Sequence, residues 1–358
     1  RLPAPLRNKY LKLLTEYQDL FIFKMNQIGK YTGPEEFGIT LTTTRPQRAP
    51  TYPIPAHYRE NFRNHIKELL ENKLIEPCSD TLYNHGMISV PKKDGTIRWA
   101  SDMRKLNAVT EEDAYTLPRI MPQLREMIGN KVFCSLDVFS CFHQFPVRKE
   151  DRDYFGFEDP LTGQRYRWTV CYFGVKNIPQ WVSFLMANRI FRDKDRQECS
   201  IYIDDISLHN ISHPKMLENL RDVFQRIRFY GLKFKGTKCR FGYDHIVQFG
   251  YHVSEKGMTI DRKRVEKLKM IEKPKNKKQL HTALGAAGYF RDCVLHFAKF
   301  SSKLTPLLSE KRNFEWTSEH EEAWNGLLKS IENAILLTKP NLNEQMILTT
   351  DASNHHYG

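Results

Sequence analysis

Tyr202-Ile203-Asp204-Asp205-Ile206 and, well upstream, Ser135-Leu136-Asp137-Val138 are the two stretches whose reading decides the fold. Acidic pairs are common on protein surfaces, and each stretch alone says little. Here apolar residues flank both, as in a buried strand rather than a solvated acidic tract. Neighbouring side chains of one strand face opposite sides, so Asp204 and Asp205 can serve one site only where the backbone turns. The pair is therefore expected at the tip of a hairpin, with Asp137 near the end of a strand over 132–138. Three carboxylates on two such segments are the minimum for holding two divalent ions in nucleotidyl transfer, and oxygen donors favour Mg²⁺.

A chain of 358 residues suits two or three domains, and 40% hydrophobic with 27% charged residues suits a packed core. The 55 Lys and Arg outnumber the 42 Asp and Glu, for a net charge of +13, which points to a polyanionic partner such as nucleic acid. The blander reading is a merely soluble basic protein. Seven cysteines, an odd number without a Cys-x-x-Cys pair, read as reduced thiols of an intracellular protein rather than a disulfide frame or zinc site. No apolar run approaches the roughly 18 residues of a membrane span, so no membrane partner is expected. The start at Arg1-Leu2-Pro3 suggests a piece of a longer protein.

Periodicity predicts a helix over 3–29, a Pro-punctuated linker, and a second helix over 56–73. Met87–Val90 and Ile97–Trp99 flank Asp94-Gly95, which predicts a hairpin. Strands are predicted over 165–172 and 345–350, helices over 179–190, 214–230, 278–297 and 318–333, and a hairpin-like stretch over 238–260. A basic run begins at Arg262-Lys263-Arg264. Such a run is often only a solvated face, but on a helical subdomain it could track a phosphate backbone.

Several motifs then fall in one order. Val90-Pro91-Lys92-Lys93-Asp94-Gly95-Thr96 and Arg98 precede Asp102-x-Arg104-x-Leu106-Asn107 and Leu117-Pro118-Arg119. Leu136-Asp137, His143-Gln144, Phe173-Gly174 and Asn177-x-Pro179 follow, then Tyr202-Ile203-Asp204-Asp205, Lys238-Cys239, Gly250 with Val253-Ser254, and Thr349-Thr350-Asp351-Ala352-Ser353. As an ordered set they resemble the reverse transcriptase of a gypsy-type long-terminal-repeat retrotransposon, a part of a Pol polyprotein. The resemblance implies an α+β right-hand polymerase. Its expected parts are an N-terminal helix and linker over 1–55, interleaved fingers and palm over 56–255, a thumb over 256–312, a connection over 313–344, and the first strand of a truncated ribonuclease H domain over 345–358.

By that resemblance Asp137, Asp204 and Asp205 hold two Mg²⁺ ions, with Mn²⁺ as a substitute. Lys92 and Arg98 grip the incoming triphosphate, chemistry that suits a point charge and a bidentate fork. Phe142 is the ring that excludes a ribose 2′-hydroxyl. Phe173 lies beside the nascent base pair, where retroviral enzymes usually carry Gln. Tyr202, Phe249, Gly250 and Tyr251 contact primer or template. Asp351 matches the first ribonuclease H carboxylate. The other nuclease ligands are not in the chain, so no nuclease activity is expected of it. The implied partners are RNA template, DNA primer, RNA–DNA hybrid and dNTPs, with a homo- or heterodimer as an option. A parent polyprotein would add protease and integrase, and the implied location is cytoplasmic, in a virus-like particle.

The chain departs from the family pattern at Cys141, Tyr172, Gln180-Trp181-Val182, Gln248 and Tyr251. The expected activity is RNA- and DNA-templated DNA synthesis. The alternative is an inactive or domesticated subunit that only grips nucleic acid. A third reading, RNA-templated RNA synthesis, conflicts with the ring at Phe142.

Overall fold

The computed structural model describes residues 2–91, 95, 97–194, 198–340, 343 and 345. Lys92, Asp351 and all but the first residue of the strand expected over 345–350 lie outside the described residues. The chain divides into two compact units. One comprises Arg1–Arg119 and Val132–Tyr243; the other comprises Ile120–Lys131 and Asp244–Gly358.

The first unit is built on a four-stranded antiparallel sheet in the order Arg240–Tyr243, Val132–Asp137, Asp205–Asn210, Cys199–Tyr202. Its register sets Asp137 opposite Asp205 and Asp205 opposite Tyr202. One residue back, Leu136, Ile206 and Ile201 form the next row across the same strands. Side chains directly opposite share a face, and successive rows alternate faces. Leu136, Ile206 and Leu208 are fully buried on theirs. The helix His213–Phe229 buries Met216, Leu220, Val223, Phe224 and Ile227 at three- and four-residue steps, as an amphipathic helix should. Its Asn219 Nδ2 donates to Asn210 Oδ1 at 3.0 Å, which ties the helix to the sheet face of Leu208 and Ile206.

Among the described residues three smaller sheets complete this unit, one of them the parallel pair Phe21–Ile22 and Phe234–Lys235. The predicted hairpin is present, with Met87–Pro91 paired to Ile97–Ser101 and Val90 opposite Arg98. A three-stranded sheet joins Ile75–Pro77, Arg165–Trp168 and Gly156–Glu158. The second unit holds the meander His245–Gln248, Tyr251–Ser254, Gly257–Ile260 and the helices Ile120–Met127, Arg262–Lys269, Lys277–Gly288, Phe297–Leu304 and Ser318–Glu332. Among the described residues no helix is long and apolar enough to cross a membrane.

Several sequence expectations overshoot. The helix predicted over 3–29 spans only Ala4–Glu16; Tyr17 leaves helical geometry, and Phe21–Ile22 pairs in parallel with Phe234–Lys235. Aromatic and β-branched residues take a strand where an edge is offered, while Tyr17 and Leu20 stay in the core and continue the three- and four-residue spacing of Tyr10 and Leu13 past the end of the helix. The strand predicted over 165–172 stops at Trp168, with only an isolated bridge from Val170 to Pro146 beyond it. The helix predicted over 278–297 ends at Gly288, and a new one starts at Phe297 after His296 adopts φ 57°.

Candidate active site

The three carboxylates come together at one end of the central sheet. Asp137 is the last residue of Val132–Asp137, Asp205 the first of Asp205–Asn210, and Asp204 lies in the two-residue turn between Cys199–Tyr202 and Asp205–Asn210. The expectation of a hairpin tip is met by Tyr202 opposite Asp205, with Ile203-Asp204 as the loop. Ile203 adopts φ 58°. A left-handed backbone is unusual for a β-branched residue and costs about 1–3 kcal/mol. The turn is fixed from outside, since the Asp204 carbonyl accepts a hydrogen bond from Val138 N at 3.0 Å.

Lys238, a residue the site reading by sequence missed, donates from Nζ to Asp137 Oδ2 at 2.6 Å. Burial works against its charge, but the Asp137 hydrogen bond and the three carboxylates outweigh it and raise its pKa. Burial raises Asp204, and the Asp137 charge adds to this. Asp205 is pushed up to about 6, first by burial and then by the charges of Asp204 and Asp137, with Lys238 pulling the other way. These shifts come chiefly from burial, with the neighbouring carboxylate charges adding to it. Among the described residues no group of three His, Cys, Asp or Glu side chains is gathered closely enough to hold an ion as it stands; Asp137 turns to Lys238 instead. The donor chemistry nonetheless fits a hard divalent cation. All three donors are carboxylate oxygens, and their crowding is what such a cation would relieve.

The nucleotide-side residues form a second cluster. Ser140 adopts φ 41° and starts the single turn Cys141–Gln144 that carries Phe142. Gln144 anchors that turn: Nε2 donates to the Phe139 and Lys233 carbonyls, and Oε1 accepts from Lys233 N at 2.8 Å. The Phe142 ring lies 5.4 Å from that of Phe173. The exposed Arg98 guanidinium sits over Phe173 at 5.2 Å from the ring centroid. Arg98, Phe142 and Phe173, far apart in sequence, are thus neighbours. Phe173 is followed by Gly174, whose carbonyl accepts from Asn107 Nδ2 at 2.7 Å. The two clusters adjoin, because the buried Cys141 thiol, raised chiefly by burial, also feels the charges of Asp204, Asp137 and Asp205.

In the second unit Phe249 and Gly250 form a two-residue turn, with Gln248 opposite Tyr251. Both turn residues have positive φ, 52° and 85°, the geometry of a tight hairpin that matches strand twist. A Cβ on Gly250 would lie 3.0 Å from Phe290 Cζ, so a side chain there would be strained by its φ and tightly packed. Tyr251 is fully buried and donates from its hydroxyl to the Tyr289 carbonyl at 2.8 Å. The Tyr251 side chain thus supports the turn from within. Phe249 remains partly exposed beside a cleft of about 560 Å³ that Arg264, Lys267 and Tyr289 also line.

Comparisons with known proteins follow the same lines. The family profile described as "Reverse transcriptase (RNA-dependent DNA polymerase)" matches residues 90–279. The Transposon Tf2-3 polyprotein of Schizosaccharomyces pombe is 27% identical over 321 residues, covering 89% of this chain and 24% of that protein. The Retrovirus-related Pol polyprotein from transposon 412 of Drosophila melanogaster is 27% identical over 362 residues, covering 99% of this chain and 29% of that protein. The chain thus spans about a quarter of the length of these relatives. Among solved structures, a foamy viral protease-reverse transcriptase in complex with dsDNA superposes with a TM-score of 0.88 at 21% identity, over 99% of this chain and 73% of that one. The foamy viral protease-reverse transcriptase in complex with RNA/DNA hybrid gives 0.82 at 21% identity, over 95% and 45%. The likeness establishes the α+β polymerase fold.

Proposed function

The chain belongs to the reverse transcriptase (RNA-dependent DNA polymerase) family, and from that premise we propose that it extends a primer 3′-hydroxyl with dNTPs on RNA and DNA templates. The observation that carries this reading is the register that sets Asp137 beside Asp205, with Asp204 in the adjoining turn. Packing alone gives no reason to hold three carboxylates together at the cost of mutual repulsion. Mg²⁺ held by Asp137, Asp204 and Asp205, with Mn²⁺ as a substitute, would lower the pKa of the attacking hydroxyl and neutralise the triphosphate.

The protein's own residues do the positioning. Arg98 offers a planar fork to the triphosphate, with Lys92 as a second cation by family resemblance. Phe142 fills the space where a 2′-hydroxyl would lie. Lys238 places a positive charge on Asp137. Tyr202 shares the sheet face of Asp137 and Asp205 and stands next to the primer end in this reading. Phe249 and Gly250 offer a tight, partly exposed turn for the primer strand. The nucleic-acid partners are an RNA–DNA hybrid and a DNA duplex, held through shape and backbone charge rather than base reading; two of the structural relatives were solved with such ligands.

A second reading, a subunit that grips nucleic acid without catalysis, draws on the Lys238–Asp137 bond, which occupies one of the three carboxylates. Primer extension on an RNA template with Mg²⁺ and dNTPs separates the two. The polymerase reading predicts extension by the unaltered chain and none by Asp204→Asn. Extension that survives the substitution would remove the site assignment. Tight hybrid binding with no extension by the unaltered chain would favour the second reading.

A further inference from the structure

His143 follows Phe142 in the same turn, yet the two side chains differ sharply. Phe142 is half-buried, whereas His143 is buried, and neither of its ring nitrogens has a protein partner. Burying two polar atoms without partners is costly, so the ring is kept there for another reason. Its surroundings are aromatic. It lies parallel to Trp168, with centroids 5.6 Å apart and planes at 8°, and nearly parallel to Tyr172 at 5.7 Å and 17°. It meets Phe173 edge-on at 5.3 Å and 75°. Trp168 and Tyr172 stack on each other at 3.8 Å, and the Tyr172 hydroxyl donates to the Trp99 carbonyl at 2.8 Å, so this layer is fixed at its far end.

Phe173 is therefore the meeting point of two consecutive residues of one turn. The half-buried Phe142 ring lies 5.4 Å from it and the buried His143 ring 5.3 Å from it. Tyr172 also packs on it, at 5.9 Å, and Arg98 lies over its face. Edge-to-face pairs of this kind have a preferred geometry and resist rotation.

We propose that His143 is a positioning residue for sugar selection: its uncharged ring, wedged between the Trp168–Tyr172 stack and the edge of Phe173, holds Phe173 as the backstop that fixes the Phe142 ring. A half-buried ring without a backstop can swing aside and admit a 2′-hydroxyl. Burial keeps His143 neutral, its pKa lowered to about 3, so the contact is one ring against another and not a charge. The inference rests on the reading of Phe142 as the sugar gate.

The test is the ratio of incorporation efficiencies, kcat/KM for dCTP over CTP, in four single variants and the double variant His143→Leu with Phe173→Leu. His143→Leu keeps apolar volume but loses the ring. His143→Phe restores a ring without nitrogens. Phe173→Leu breaks the contact from its half-buried side, where folding is less at risk. Phe142→Ala removes the gate. His143→Leu and Phe173→Leu should each lower the ratio about three- to tenfold, in line with one aromatic contact. The double variant should fall no further, because both break one contact. His143→Phe should restore selectivity, and a loss that persists there would refute the ring-packing role. If His143→Leu or Phe173→Leu keeps the ratio within about twofold while Phe142→Ala collapses it, the inference is overturned and the gate stands. If Phe142→Ala itself leaves the ratio unchanged, gate and inference fall together. A merely structural role for His143 would lower dCTP and CTP use alike and leave the ratio intact.

Discussion

Lys238 and Asp205 make the charge balance of the site testable residue by residue. The Asp205 pKa is raised from 3.8 to about 6, with burial as the main cause. A carboxyl whose folded pKa is raised contributes stability that is fully present below 3.8 and is lost as pH rises through about 6. The metal-free protein should therefore lose thermal stability between those values, and Asp205→Asn should flatten that part of the profile. Added Mn²⁺ should stabilise the unaltered chain increasingly as pH passes 6, because a ligand must give up its proton to bind. Lys238→Met should destabilise the metal-free form and enlarge the Mn²⁺-induced rise in Tm, since Asp137 loses its counter-charge. Calorimetric scans at stepped pH, with and without Mn²⁺, read all of this; Tm profiles of the unaltered chain and Asp205→Asn that run parallel across that window would contradict the account. Asp204 and Asp205 were legible in the sequence because two adjacent acids in a strand-like run demand a turn. Lys238 was not legible as a partner. Its place beside Asp137 depends on how Arg240–Tyr243 pairs along the edge of the sheet, and pairing between distant segments leaves no local signal. The exposed-looking His143-Gln144 motif likewise gave no sign that both side chains are buried.

At the scale of elements, strong local signals survived and weak boundaries did not. The hairpin around Asp94-Gly95 and the helix His213–Phe229 appear where alternation and three- and four-residue spacing predict them. The first helix did not keep its length, because burial of Tyr17 and Leu20 continues the spacing of Tyr10 and Leu13 beyond Glu16 and so mimics a helical face. Helix ends also carry backbone detail that composition hides. After Arg59–Glu71 and its C-cap Asn72, Lys73 adopts φ 55°, and Leu74 N donates to the Leu69 carbonyl at 2.9 Å. That left-handed position after a helix favours glycine. Lys73→Gly should raise stability by about 0.5–1 kcal/mol and leave nucleotide incorporation unchanged. A lower Tm would show that the Lys73 side chain does more than close the helix.

For the molecule as a whole, grip and chemistry separate. The net charge of +13 and the exposed Lys263 and Lys267 on the helix Arg262–Lys269 of the second unit offer nucleic acid a diffuse, salt-sensitive attraction. The three carboxylates oppose that attraction rather than supply it. Removing one acid should thus stop synthesis without weakening the hold on a polyanion. The acidic motifs and the basic run lie in separate stretches of the sequence, while the spatial meeting of Arg98, Phe142 and Phe173 needed the fold. The most direct measurement takes unaltered chain and Asp205→Asn, each with a preformed RNA–DNA hybrid, and reads hybrid affinity and single-nucleotide incorporation from the same samples at low and high salt. The account predicts equal or tighter binding by Asp205→Asn, the same steep loss of affinity with salt, and incorporation reduced to background. Near-normal incorporation by Asp205→Asn, or loss of binding in parallel with loss of synthesis, would contradict it.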